Sequence, residues 1–267
     1  MWRNWQTRMV QVHVPVKGVE VQLLSPALFS SCQPLGWEPL VRRLILAIQR
    51  RMRRGRLAQQ SVEEVFTDKF HGNLWRGKTS LSGEGSDPPA TRTLVAELPT
   101  LLHRFNIDSI ADIPCGDFAW MREIDLTGIS YFGGDIVGQL IQQNNASYAS
   151  ESIRFEKFDL LHDSLPKADL LLCRDCLVHL SLPHIRQVLR NVARGNVKYL
   201  LTTTYPRVTK YREIVTGEWR ALNLELPPFS FPPPLAQLDE RPVARVYTDK
   251  SLGLWSVSSI LSRIEDL

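Results

Sequence analysis

The chain has 267 residues, a formal net charge of +4 and an apolar content of 43%, which suits one globular domain with an appendage rather than two equal domains. No run approaches the roughly 18 apolar residues a membrane span needs. The first residues also lack the basic segment and apolar core of a secretory signal, so a cytoplasmic protein is expected. Four cysteines do not make a secreted disulfide scaffold. Cys173 and Cys176 form a C-x-x-C pair, but no second Cys or His pair stands at zinc spacing. They read as packed thiols at a strand end, and no metal site is expected.

In chain order, residues 1–28 alternate valines without turn chemistry or a partner strand. They resemble the accidental translation of a transfer-RNA gene, so residues 1–30 are expected to be disordered or spurious, through an over-extended start codon or a fused leader. Residues 37–56 hold seven arginines (42, 43, 50, 51, 53, 54 and 56) against Glu38, with Leu40, Val41, Leu44, Ile45, Ile48 and Met52 at helical spacing. This is the pattern of a basic amphipathic helix. Its ordinary role is to dock the apolar stripe on the domain; its functional role would be contact with nucleic acid or an anionic membrane surface. The rest of the chain sums to −2, which argues against a large nucleic-acid footprint. Residues 1–60 are thus read as an N-terminal extension and 61–267 as the main domain.

Residues 61–86 form a cap, with Val62, Val65 and Phe66 on a short amphipathic turn and loop signals at His71-Gly72-Asn73 and Ser82-Gly83-Glu84-Gly85-Ser86. Residues 88–105 carry a helical stripe, and Pro99 predicts a kink or break near Leu98. Apolar runs at 110–113, 131–136, 154–160 and 168–173 follow at the rhythm of strands, with helical segments expected between them. Ser181 and Pro183 start a helix that Gly195 ends, and residues 198–203 form a fifth strand. This alternation indicates an α/β fold with a mostly parallel sheet. Beyond Tyr205-Pro206 the chain turns rich in proline and aromatics; residues 245–248 and 254–258 could pair as terminal strands, and Pro232-Pro233-Pro234 forms an extended crossing.

Ligands of parallel sheets sit outside the carboxyl ends of the strands. Here the first run ends in Asp112 and the turn Pro114-Cys115-Gly116-Asp117, the second in Gly133-Gly134-Asp135-Ile136, and the third in Asp159-Leu160. The fourth runs into Arg174, Asp175 and His179.

These pieces resemble the class I S-adenosylmethionine (SAM)-dependent methyltransferases. That family places a D/E-x-G-x-G-x-G loop after its first strand. Asp112, Pro114, Gly116 and Phe118 stand at the four key positions, so one of three glycines is kept. Asp135 matches the residue that binds the ribose hydroxyls and Asp159 the one that reads the adenine amino group, while DLLLCRDCLVHL (169–180) is similar to the fourth strand of small-molecule methyltransferases. FTDKFHGNLW, SLSGEGS, DIPCGDFAWM, CRDCLVHLS and TGEWRALNL are similar to a bacterial subgroup, and the resemblance spans residues 62–267.

The resemblance implies a Rossmann-like fold, its central sheet flanked by helices, with an N-terminal helical cap and SAM as cofactor. It places cofactor contacts at Asp112, Cys115, Gly116, Asp117, Asp135, Ile136, Asp159, Leu160 and Arg174. His179 and Asp175 are the candidate catalytic residues, the first as a base and the second orienting the acceptor or the cofactor's ammonium. Trp75, Ser82, Tyr205, Trp219 and Arg220 suit a polar acceptor; as ordinary residues the tryptophans would be satellite core. The implied activity is methyl transfer to a small polar acceptor by O- or N-methylation. The alternatives are an RNA or protein methyltransferase recruited by the arginine-rich helix, or a catalytically silent SAM-binding protein.

Overall fold

A computed structural model describes residues 38–241 and 248–265. The reading of residues 1–30 lies outside them. The chain divides into two units, one up to Arg53 and one from Arg54 onward. In the first, the described part belongs to helix α1 (Glu38–Gln59). In this helix Leu44 is 61% and Met52 53% exposed.

The second unit is built on a seven-stranded sheet of order β3-β2-β1-β4-β5-β7-β6. The strands are β1 (Ser109–Asp112), β2 (Ser130–Asp135), β3 (Ile153–Lys157), β4 (Ala168–Cys173), β5 (Val197–Thr204), β6 (Ala236–Asp239) and β7 (Ser251–Ser256). The first five are parallel; β7 runs antiparallel to both β5 and β6. The end of β6 and the start of β7 therefore lie at the same edge as the carboxyl ends of β1 to β5. The strand order reverses between β1 and β4, the crevice where such sheets bind ligands.

Central strands alternate between two cores, as the two-residue period requires. Ala111, Leu171, Leu200 and Trp255 face one side with α5 (Leu182–Arg194) and α6 (Val257–Glu265), which contribute Ile185, Leu189, Ile260 and Ile264. Ile110, Leu170, Leu172 and Leu254 face the other, with α3 (Pro88–Arg104) and α4 (Gly138–Tyr148). Helix α2 (Val62–His71) begins in a capping box, in which Ser61 and Glu64 satisfy one another's backbone N–H groups.

Two expectations are corrected, and a third is answered in part. Helix α3 continues through Pro99, so no break occurs there. Leu94, Leu98, Leu101 and Leu102 are buried there, and at about 1.5–3 kcal/mol per buried leucine they outweigh the roughly 3 kcal/mol cost of a helical proline. The crossovers from β1 to β2 and from β3 to β4 contain no α-helix; the first has only a 3₁₀ turn at Met121–Glu123. The terminal pairing is between β6 and β7. Of the expected strand 245–248, residues 245–247 lie outside the described residues and Thr248 is in a turn.

Candidate functional site

Strand β1 delivers Asp112 to the sheet edge with 2% of its surface exposed. Its Oδ2 accepts from the Tyr131 hydroxyl at 2.7 Å. Burial pushes this carboxyl up to about 7, against the pull of Tyr131 and Arg174. Two strands' ends then meet: Asp135, at the end of β2, accepts from Gly116 N–H at 3.0 Å and Val137 N–H at 2.9 Å. Burial raises it to about 6 against those N–H groups. Gly116 has φ of +57°, a left-handed conformation that suits glycine, and its carbonyl accepts from Asn144. Cys115 is buried beside it, its thiol pushed up by burial and by the nearby carboxylates. Because no α-helix follows this loop, the two absent glycines are not needed to bring a helix N-terminus close.

The cap crosses this loop. A Cβ on Gly116 would meet Ser82 Oγ at 2.1 Å, so the space above the glycine belongs to Ser82 and not, as the motif implies, to a bound ligand alone. The crossing is latched by Asp117, whose Oδ1 accepts from the Ser80 and Ser82 hydroxyls at 3.0 Å each and whose Oδ2 accepts from Leu81 N–H at 2.7 Å. Asp117 N–H donates in turn to Ser82 Oγ. Asp87 holds the other end. It is buried, yet the N–H groups of Lys78, Ser80 and Thr79 and the Thr79 hydroxyl outweigh that burial and hold it at about 2.

A charged cluster lies across the ends of β4, β6 and β7. Arg174 forks onto Glu240, Nε to Oε1 at 3.2 Å and Nη2 to Oε2 at 2.6 Å, and also donates to the Gly85 carbonyl at 2.6 Å. Lys250 bridges Asp175 Oδ2 at 2.6 Å and Glu240 Oε2 at 3.0 Å. Burial pushes Asp175 up, but Lys250 and Arg174 outweigh it and hold the carboxylate at about 2. Both ion pairs fall on Oδ2, so Oδ1 is the oxygen left to a ligand. Asp175 has φ of +52° and is pinned through its N–H to Thr203. Gly85 passes so close that a Cβ there would come within 3.1 Å of Asp175 Oδ2.

Four residues on, His179 Nδ1 lies 2.8 Å from the Glu218 carbonyl oxygen. Burial lowers the ring's pKa to about 4 against that contact, so at neutral pH Nδ1 carries the proton and Nε2 a lone pair. Phe66 and Trp75 stand 6.5 Å from the ring, centroid to centroid, and Lys69 lies over Trp75.

The expected residues thus fall into three places. Asp112, Cys115, Gly116, Asp117, Asp135 and the half-buried Ile136 and Ser82 gather at the first crevice. Asp175, His179 and Trp75 lie beyond the end of β4, with Tyr205 buried nearby and packed on Trp219. Asp159 forms a local turn, its oxygens meeting Leu161 N–H and His162 Nδ1, with Leu160 buried beside it; the ordinary turn role is the one this geometry displays.

Two of the expected residues are engaged within the chain. Arg220 is 1% exposed and its Nη1 donates to the Leu180 carbonyl at 2.8 Å, bracing the loop that carries His179. Arg174 pairs with Glu240 and the cap carbonyl of Gly85. Glu240, Asp87, Asn144 and Glu218 were not singled out by the sequence. Only Asp87, just ahead of Pro88 at a helix start, carried a local signal.

No family model matches the chain, and no curated protein matches it. Solved structures do. Magnesium protoporphyrin IX methyltransferase from Synechocystis PCC 6803, with bound SAM, superposes with a TM-score of 0.50 at 12% identity, covering 74% of this chain and 98% of that one. The fold is that of the class I SAM-dependent methyltransferases. N-methyltransferase NodS from Bradyrhizobium japonicum WM9 gives a TM-score of 0.46 at 14% identity over 64% and 98% of the two chains. Human N-acetylserotonin methyltransferase in complex with SAM gives 0.46 at 18% identity over 61% of this chain, which spans about half (51%) of the human enzyme. Within this fold, Asp112 ends β1 and Asp175 follows β4, the two strands on either side of the crevice.

Proposed function

We propose that the chain is a SAM-dependent methyltransferase acting on a small polar acceptor through oxygen or nitrogen. The observation that carries this reading is Asp135, a buried carboxylate at the end of β2 tied to Gly116 N–H across the first loop of a class I fold. The donor set fits the cofactor. Asp135 accepts from Gly116 N–H on one oxygen and Val137 N–H on the other, and a remaining lone pair would accept from a ribose hydroxyl. Residues 113–117 form the wall for the methionine portion, and Ser82 closes it from above.

SAM supplies a methyl group already activated on a sulfonium, so the chain's task is alignment and, for some acceptors, proton removal. Asp175 Oδ1 would take an N–H or O–H of acceptor or cofactor, with its other oxygen fixed by Lys250. His179 would accept the acceptor's proton at Nε2. Phe66 and Trp75 exclude water around that nitrogen. Calorimetry with SAM tests the reading: saturable binding that weakens in Asp135→Ala supports it, and no binding to the folded protein overturns it.

A catalytically silent protein of the same fold is the second reading, favoured by Ser82 lying over Gly116. Transfer of labelled methyl from SAM to any member of a metabolite panel would remove it.

A further inference from the structure

Helix α1 presents two faces of different chemistry. At about 100° per residue, Leu44, Ile45, Ile48 and Met52 fall within one arc of about 100°. Arg42, Arg43, Arg50 and Arg53 fall within another of similar width on the opposite side. Arg51 borders the apolar arc. Leu46 is the exception, lying among the arginines. Five of the eight exposed large apolar residues among the described residues are in this helix: Leu44, Ile45, Leu46, Ile48 and Met52. Glu38 is its only acidic residue.

We infer that α1 is a surface anchor for anionic lipid bilayers, lying in the headgroup plane with Leu44, Ile45, Ile48 and Met52 inserted and the arginines paired with lipid phosphates. Two features select this occupant. An RNA duplex would be met by the arginine arc alone and gives no reason for an exposed apolar arc. An apolar partner alone gives no reason for the near absence of acidic residues. A helix carrying both, with an arginine at the border long enough to reach headgroups while its stem stays apolar, matches an interfacial helix. No helix among the described residues is long and apolar enough to cross a membrane, so the contact is with the surface. Each arginine near an anionic surface strengthens partition about fivefold, and salt weakens the effect.

The test is co-sedimentation of the full chain with vesicles of phosphatidylcholine alone and of phosphatidylcholine mixed with phosphatidylglycerol. Binding to the mixed vesicles at least about tenfold tighter, weakened by salt, is expected. Leu44→Glu/Ile48→Glu and Arg42→Glu/Arg43→Glu should each abolish it, with thermal unfolding unchanged because these side chains are exposed. No preference for anionic vesicles would overturn the inference, as would binding that survives Leu44→Glu/Ile48→Glu. A gel shift with duplex RNA lost only in Arg42→Glu/Arg43→Glu, without vesicle binding, would assign α1 to nucleic acid instead. A concentration-dependent dimer lost in Leu44→Glu/Ile48→Glu, again without vesicle binding, would assign it to a second copy.

Discussion

His179 Nδ1 stands 2.8 Å from the carbonyl oxygen of Glu218, and this contact decides which ring nitrogen keeps its lone pair. A carbonyl only accepts, so Nδ1 must donate and Nε2 is left to take a proton. For an acceptor with an O–H to lose, His179→Ala is expected to lower turnover by about 10²–10⁴-fold while SAM affinity survives. With its pKa lowered to about 4, the ring is neutral across pH 5–8. Its contribution to the pH–rate profile is therefore flat there and falls only toward pH 4. An unimpaired His179→Ala enzyme would remove the residue from the mechanism.

Asp135→Ala should weaken SAM by about 1–3 kcal/mol, since ribose hydroxyls would lose their acceptor in a buried site. The same change frees Gly116 N–H, so calorimetry is to be paired with thermal unfolding to separate ligand loss from loop loosening. Unchanged affinity in a folded variant would contradict the assignment.

Breaking the Arg174–Glu240 fork should be costly. Glu240→Ala leaves a buried guanidinium without its carboxylate and is expected to destabilise the domain by about 3–5 kcal/mol in denaturant unfolding. The double variant Arg174→Met/Glu240→Leu should recover much of that stability while leaving Asp175 less well held. A Glu240→Ala protein as stable as the parent would show that water reaches the cluster.

Asp112 has a signed consequence for stability. Its folded-state pKa is raised to about 7 by burial. Between its ordinary value and about 7 the folded protein therefore binds more protons than the unfolded chain. Stability from this group is present at low pH and lost as pH rises through about 7. His179 acts oppositely below its ordinary value, because its folded pKa is lowered. The comparison with Asp112→Asn isolates the aspartate: the parent's melting temperature relative to the variant's should fall from about pH 4 to pH 7 and then level off. A pH-independent gap would mean the carboxylate is already charged in the fold.

The cap latch can be weakened by a single substitution that leaves residues 113–117 in place. Ser82→Ala removes the acceptor of Asp117 N–H and one donor to Asp117 Oδ1. At about 1 kcal/mol for each net hydrogen bond, cleavage of residues 77–87 by a protease should rise about thirtyfold. SAM should also dissociate faster in stopped-flow. A cleavage rate equal to the parent's would show that Asp87 and Arg174 hold the cap alone.

How much of this was legible in the sequence depended on distance along the chain. Strands β1, β2 and β4 are apolar runs closed by Asp112, Asp135 and the Arg174-Asp175 pair, so both the sheet and its reactive edge could be read locally. Strand β6 could not: only Leu238 of its four residues is buried, so no alternation marks it, and Glu240 beyond it had no context. The pairing of Lys250 with Asp175 spans 75 residues and leaves no local trace. Arg220 suits an acceptor by residue type; only packing shows that its guanidinium is buried, with Nη1 donating to main-chain carbonyls. The missing glycines were a fair warning about the first loop, yet their physical cause, a crossover without an α-helix, became visible only in three dimensions.

The order of synthesis gives the charged cluster one further meaning. Arg174 and Asp175 leave the ribosome well before Glu240 and Lys250, with 66 residues between the members of the Arg174–Glu240 pair. Until β6 and β7 have emerged, the guanidinium lacks the Glu240 fork and keeps only its contacts to Gly85, Ser86, Trp120 and Asp175, and Asp175 has no lysine to fix it. A nascent or stalled chain can therefore pair β1, β2, β3, β4 and β5 while this cluster is still incomplete, which ties its assembly to the arrival of β6 and β7.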